Sequence, residues 1–276
     1  MAGKSTFFRT VKTDFKLGLK LPFLLAVCGV VLGFCFDNWQ DLRNFAFSPQ
    51  TSGDTPTVCV MYYFFNSFSF GGVFSEYFAA IMAAIPFAAN YCDEVNDGML
   101  TYKIARCGKD TYARSKFVVA SILGGATFAL GSLTFILALA IHLPLVTPDQ
   151  IFETSWLPFS WALTVGNGAL YFAIVLCICF LGGSLWGSVG LCASAYFPSS
   201  YVAVCAPLIF RFVLVQIGRL LNLPGWLRLD LLIAARETVY SDAVTFLVTA
   251  AYVLALILLC YRLFCMRLER SVWNVE

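Results

Sequence analysis

Apolar and polar positions along this chain fall into long blocks rather than short periods. Six apolar runs stand out, at 21–36, 68–89, 117–141, 169–195, 201–215 and 243–264. A hydrocarbon layer about 30 Å thick takes roughly 20 apolar residues of helix, and the runs reach or approach that length. Inside lipid every backbone polar group must be satisfied within its own segment, which selects helices for such runs. The pattern predicts an all-α membrane protein of six transmembrane helices, folded as a single domain over 1–276.

The polar blocks between these runs are equally distinct. Residues 90–116 hold five Lys/Arg (Lys103, Arg106, Lys109, Arg114, Lys116) and four carboxylates (Asp93, Glu94, Asp97, Asp110). A charged hairpin of this kind belongs in water and offers a surface for a soluble partner. In residues 1–20, Phe7, Phe8, Val11 and Phe15 recur at helical spacing among Arg9, Lys12 and Lys16. This suits an amphipathic elbow helix lying on the membrane surface. It is favoured over a signal peptide because no small-residue cleavage site follows the first apolar run. Residues 218–242 contain two short leucine-rich stretches divided at Pro224-Gly225, too short to cross and expected to dip into the outer leaflet and return. Between 37 and 66 a long outer loop is expected, and near Trp156 and Trp161 a membrane interface.

Composition agrees with the membrane reading. Hydrophobic residues make up 60% and charged residues 12%, against about 45–50% and about 25% in soluble domains. The net charge of +2 matters less than its distribution. Of the 18 Lys/Arg, five lie before residue 21, five in 90–116 and three after residue 261. Arg43, Arg219, Arg228 and Arg236 fall on the other side, and Arg211 lies within a run. The excess of positive charge places both termini and the 90–116 hairpin in the cytoplasm.

Candidate chemistry is sparse. Gly3-Lys4-Ser5-Thr6 echoes the end of a phosphate-binding loop but lacks the upstream glycine and strand. No nucleotide-binding motif, catalytic constellation or zinc spacing appears, and the one histidine, His142, ends a run. Most of the 11 cysteines fall in apolar runs; Cys35 and Cys59 are the pair that an oxidising exterior could bridge. Glu76 and Arg211 each sit about 14–16 Å into a run at 1.5 Å per residue. Charge at that depth needs a partner, so an intramembrane ion pair is expected between them, acting as a pin between helices or as the lining of a path. Gly183 and Gly187 form a small-xxx-small face for close helix packing.

Taken together, the elbow, the six spans, the charged hairpin between the second and third, and the re-entrant pair resemble the ABC-type-2 permease family. Glu94-Val95-Asn96-Asp97-Gly98 followed by Met99-Leu100 resembles that family's Glu-x-x-x-Gly element, and Tyr112-Ala113-Arg114-Ser115-Lys116 its lead into the third span. Met99 stands where the family often has Thr, and Cys107-Gly108 where it often has Pro. The resemblance implies the permease subunit of a type V ABC exporter in a bacterial cell membrane. It implies a coupling helix around 93–100, with Asp93, Glu94, Asp97, Gly98, Met99 and Leu100 contacting a separate ATP-binding cassette ATPase. ATP and magnesium would then belong to that partner, with no cofactor in this chain, and a second permease subunit, identical or not, would complete the transporter. The chain itself is not expected to be an enzyme or to bind nucleic acid. The alternative is a secondary transporter driven by an ion gradient through Glu76, although the halves of the chain show no convincing repeat. Lipids, drugs, peptides and polysaccharides all stay open as cargo.

Overall fold

The computed structural model describes residues 2–47, 59–68, 72–165 and 168–273, with the side chain of Glu76 outside the described set. Among these residues the fold is entirely helical. Four helices are long and apolar enough to cross a membrane: α8 (Lys109–Ala140), α10 (Ala169–Tyr196), α11 (Ser200–Leu220) and the 242–269 part of α13 (Asp242–Trp273). A fifth crossing is available if α1 (Ala2–Gly18) and α2 (Leu21–Asp37), bent by 58° at their junction, are taken as one span. The bend has a local cause, because Pro22 opens α2 and cannot continue the hydrogen-bond ladder of α1.

The 68–89 run is not one continuous α-helix. After α3 (Trp39–Phe47), α4 (Val60–Phe68) ends at its start, and the chain re-enters helix as a π-turn at Phe74–Phe78. A six-residue α5 (Ala79–Ala84) follows, and turns around Pro86 lead into α6 (Asn90–Asn96). The first π-helical amide is held from outside the segment: Asp37 Oδ1 accepts the Phe74 N–H at 3.0 Å. Asn38 beside it donates to the Ser67 hydroxyl at 2.6 Å and to the Tyr63 carbonyl at 3.1 Å. The end of α2 therefore anchors both sides of the break.

At the centre α8 lies against α10. Their seam is made by glycines: a Cβ on Gly124 would stand 2.5 Å from the Gly183 carbonyl oxygen, and one on Gly187 would stand 2.5 Å from that of Ala120. Lipid gives helices little hydrophobic reason to associate, so such backbone-to-backbone contact supplies the dispersion energy instead. The pair α1 and α2 packs along α8, whereas α11 and α13 pack along α10 and α5 wedges between these groups. Two large clusters fill the ends of the bundle. One gathers Phe34, Phe64, Phe128, Phe135 and Phe172 with the 143–163 segment, which includes α9 (Pro148–Glu153). The other gathers Tyr91, Phe117, Leu185, Trp186 and Phe264. Ring pairs such as Phe34–Phe135 at 5.2 Å and Phe117–Phe264 at 5.3 Å each add about 0.5–1.5 kcal/mol.

The 218–242 segment holds a single 3-10 turn at Gly225–Leu227 and the short α12 (Leu229–Ile233). Leu229, Leu232 and Ile233 are buried, and α12 packs against α10, α11 and α13.

Candidate functional site

The charged hairpin forms at the end of the bundle where α8 begins. Its two corners are glycines in conformations that a side chain would oppose. Gly98, at φ +68°, separates α6 from α7 (Met99–Cys107), and Gly108, at φ +80° and ψ +147°, separates α7 from α8. Residues 93–100 are thus divided between two short helices: the left-handed turn at Gly98 redirects the chain in mid-segment. On α7, Leu100 and Ile104 turn inward to the core, while Met99 is 45% and Tyr102 62% exposed.

Beneath the hairpin lies a buried ion network. Lys116, on the first turns of α8, is fully buried, and its Nζ donates to Asp14 Oδ1 at 3.0 Å, to Glu94 Oε1 and to Asn90 Oδ1. Glu94 also accepts from Lys103 Nζ at 2.7 Å and from the Tyr112 hydroxyl at 2.6 Å. Ser115 Oγ reaches Asp14 Oδ2 at 3.3 Å. The ammonium of Lys116 also lies 5.1 Å from the Phe87 ring centre and 5.4 Å from that of Tyr112, a geometry that favours a desolvated cation. Burial pushes the Glu94 carboxyl up, but Lys116 and the hydrogen bonds from Lys103, Lys116 and Tyr112 outweigh it and hold it below its ordinary value. Removing charge from water is costly, and only such dense pairing offsets it. One cluster thereby ties α1, α6, α7 and α8 together.

The six residues proposed to contact an ATPase divide into two sets. Asp93, Asp97, Gly98 and Met99 are exposed at the hairpin tip. Glu94 and Leu100 point into the protein, so neither presents its side chain outward. Asp93 accepts a hydrogen bond from Ser200 at 3.3 Å, which links the tip to the start of α11.

The Glu76 half of the expected intramembrane pair lies outside the described side chains. Arg211, in the middle of α11, sits with its guanidinium 5.7 Å from the Trp186 ring centre. It shares a small cavity with Leu214, Leu229, Asp230 and Ile233. Its described surroundings are therefore α10 and α12. Gly183 and Gly187 lie on the α8 seam. Cys35 and Cys59 are both free thiols. Among the described residues no group of three or more His, Cys, Asp and Glu is placed to hold a metal ion.

Asp14 and Asn90 belong to the network yet carry no motif. The signal available was positional. Asp14 falls on the same helical face as Val11, Phe15 and Gly18, the face that α1 buries against α8. A carboxylate in the middle of an apolar stripe needs a buried cation, and Lys116 is the last charge before the charge-free run 117–148. No family model matches this chain, and neither does any curated protein or solved structure.

Proposed function

We propose that this chain is the permease subunit of an ATP-binding cassette exporter, a multi-pass protein of a bacterial cell membrane with both termini in the cytoplasm. In this reading six segments cross the bilayer. The 72–89 stretch crosses as a helix interrupted by its π-turn and by Pro86, and α1 lies on the cytoplasmic surface as the elbow. The 218–242 segment dips back from the outer side, a placement supported by α12 sharing a cavity with mid-helix Arg211.

The observation that carries the reading is the hairpin. Its exposed tip of Asp93, Asp97, Met99 and Tyr102 is fixed through Lys116, Glu94 and Asp14 to both α1 and α8. A soluble motor seated on Met99 and Tyr102 would push on a rigid corner rather than on a loop. Force applied there reaches α8, and the glycine seam passes it to α10. The ATPase partner would supply ATP and magnesium, and a second permease subunit would complete the path. The motor shifts the bundle only so far as ATP binding favours one state over the other.

The test is co-purification of an ATPase with the full chain in mild detergent. Asp97→Arg combined with Met99→Ala alters the tip and leaves the buried network intact. It is expected to abolish that association while the thermal midpoint stays within about 2 °C. Full association in that variant would remove the tip as the interface.

The π-turn favours a second reading, since such turns are frequent at functional sites and this one contains Glu76. There the chain is an ion-gradient carrier, and Glu76→Gln abolishes transport in vesicles supplied with a proton gradient and no ATPase.

A further inference from the structure

A cavity of about 310 Å3 opens between α1 and α7, on the water-facing side of the buried ion network. Asp14, Lys103 and Lys116 form its floor, and Arg9 and Arg106 line it from opposite helices. In the floor the charges balance, because Lys103 and Lys116 are taken up by Glu94 and Asp14. The rim does not balance. Arg9 and Arg106 are both exposed, and neither side chain has a hydrogen-bond or ion-pair partner among the described residues. Four cations against two carboxylates leave two positive charges, both guanidinium groups. The hydroxyl-bearing Thr13 completes the opening.

Exposed charges normally point apart into water, whereas these two line one concavity at the small end of the ligand-pocket range of roughly 300–1,000 Å3. Guanidinium is the group best shaped for two-pronged hydrogen bonding to phosphate oxygens. Asp14, the one carboxylate on the cavity wall, is already neutralised by Lys116, so it does not repel an anion. The same helix exposes Phe8 at 68%, so an apolar side chain stands one residue from Arg9.

We infer that this cavity binds a phosphate group between Arg9 and Arg106. Two sources supply that chemistry: the headgroup of an anionic phospholipid, and soluble phosphate. Basic pockets beside membrane helices take lipid headgroups by this kind of contact. The inference stands apart from the choice of energy source, since it uses neither the hairpin tip nor Glu76.

Two probes separate the sources, applied to the full chain in detergent micelles. Phosphatidic acid adducts are counted by native mass spectrometry against phosphatidylcholine, and inorganic phosphate binding is measured by calorimetry. Binding of either probe is expected to weaken at least tenfold in Arg9→Gln with Arg106→Gln. Both positions are exposed, and an unchanged unfolding midpoint checks the fold. Thr13→Trp, which fills the cavity and spares both arginines, is expected to lower binding as far. Lys12→Gln with Lys16→Gln, which removes two charges from α1 outside the cavity, is expected to leave it unchanged. Phosphatidic acid binding alone assigns a lipid headgroup, and inorganic phosphate binding assigns a soluble source. The inference is overturned if neither probe binds, if both cavity variants bind as the native chain does, or if the Lys12/Lys16 variant loses as much.

Discussion

Lys116 and Asp14, 102 residues apart in sequence, meet at 3.0 Å with both side chains buried, and through this contact the N-terminal helix is locked to the base of α8. Neither group is stable there alone. Lys116→Met leaves Asp14 as an uncompensated buried charge and Glu94 held by Lys103 and Tyr112 only, which costs about 3–5 kcal/mol. Asp14→Asn retains a polar partner and leaves Lys116 paired with Glu94, so its loss is smaller. The double variant is expected to lose less than the two single losses added, with a coupling of about 0.5–3 kcal/mol. Chemical denaturation in a single detergent measures all three, and strict additivity would show that the pair does not act as one.

Glu94 gives the network a pH limit with a definite sign. Its carboxyl is held below the ordinary value of 4.5 in the folded protein, so the unfolded chain takes up the proton first as pH falls. Its stabilising contribution is present in full above about pH 4.5 and is lost as pH drops through the lowered folded value. The charged or titratable groups facing it are Lys103, Lys116, Tyr112 and Asp14. Thermal midpoints from pH 7 to pH 3 are expected to fall steeply below pH 4.5 in the native chain. In Glu94→Gln they are expected to start lower and to fall less. An acid limb of equal steepness in both would assign the loss to other carboxylates.

The orientation is tested by labelling. Asp97 stands at the exposed hairpin tip, and Tyr240, at 90% exposure, stands beyond α12 toward the opposite end. With the positive-inside assignment, an impermeant maleimide adds to Tyr240→Cys in intact cells, while Asp97→Cys reacts only after permeabilisation. The readout is the mass increment over the native chain, whose own cysteines are present in both variants. Labelling of Asp97→Cys in intact cells would invert the topology and remove the hairpin as a seat for a cytoplasmic motor.

How far the sequence revealed this fold depends on what kind of information each part needed. The helices α8, α10, α11 and α13 are legible because an apolar run long enough to cross, even one that carries Arg211 as α11 does, has one good solution in lipid. Gly98 and Gly108 are not legible as corners in the same way: the resemblance puts Gly98 within a helix around 93–100, and only the backbone, at φ of +68° and +80°, shows the two turns. The break at 68–89 was hidden from hydropathy, which counts apolar residues and does not see that Asp37 takes the Phe74 amide. The network was hidden for a related reason. Glu94 and Asp97, three residues apart in one acidic stretch, look interchangeable, yet one is buried on Lys116 and Tyr112 and the other faces water. Only the packing of α1 on α8, set by residues a hundred positions away, tells them apart.

Two glycines separate the energetics of packing from those of backbone conformation. At Gly187 a Cβ would meet the Ala120 carbonyl oxygen at 2.5 Å and the Gly124 Cα at 3.3 Å, both backbone atoms that cannot rotate away. Gly187→Ala therefore forces α8 and α10 apart along their seam, an overpacking cost of about 1–3 kcal/mol. At Gly98 nothing lies within 4 Å, and the obstacle is the φ of +68° alone, worth about 1–2 kcal/mol for an alanine. Gly187→Ala is further expected to weaken every contact that depends on the seam. Gly98→Ala should shift the hairpin tip and spare the bundle. Unfolding midpoints paired with protease sensitivity at the hairpin distinguish the two. Increased cleavage at 97–108 in Gly187→Ala with an unchanged midpoint would show that the seam does not carry the bundle's stability.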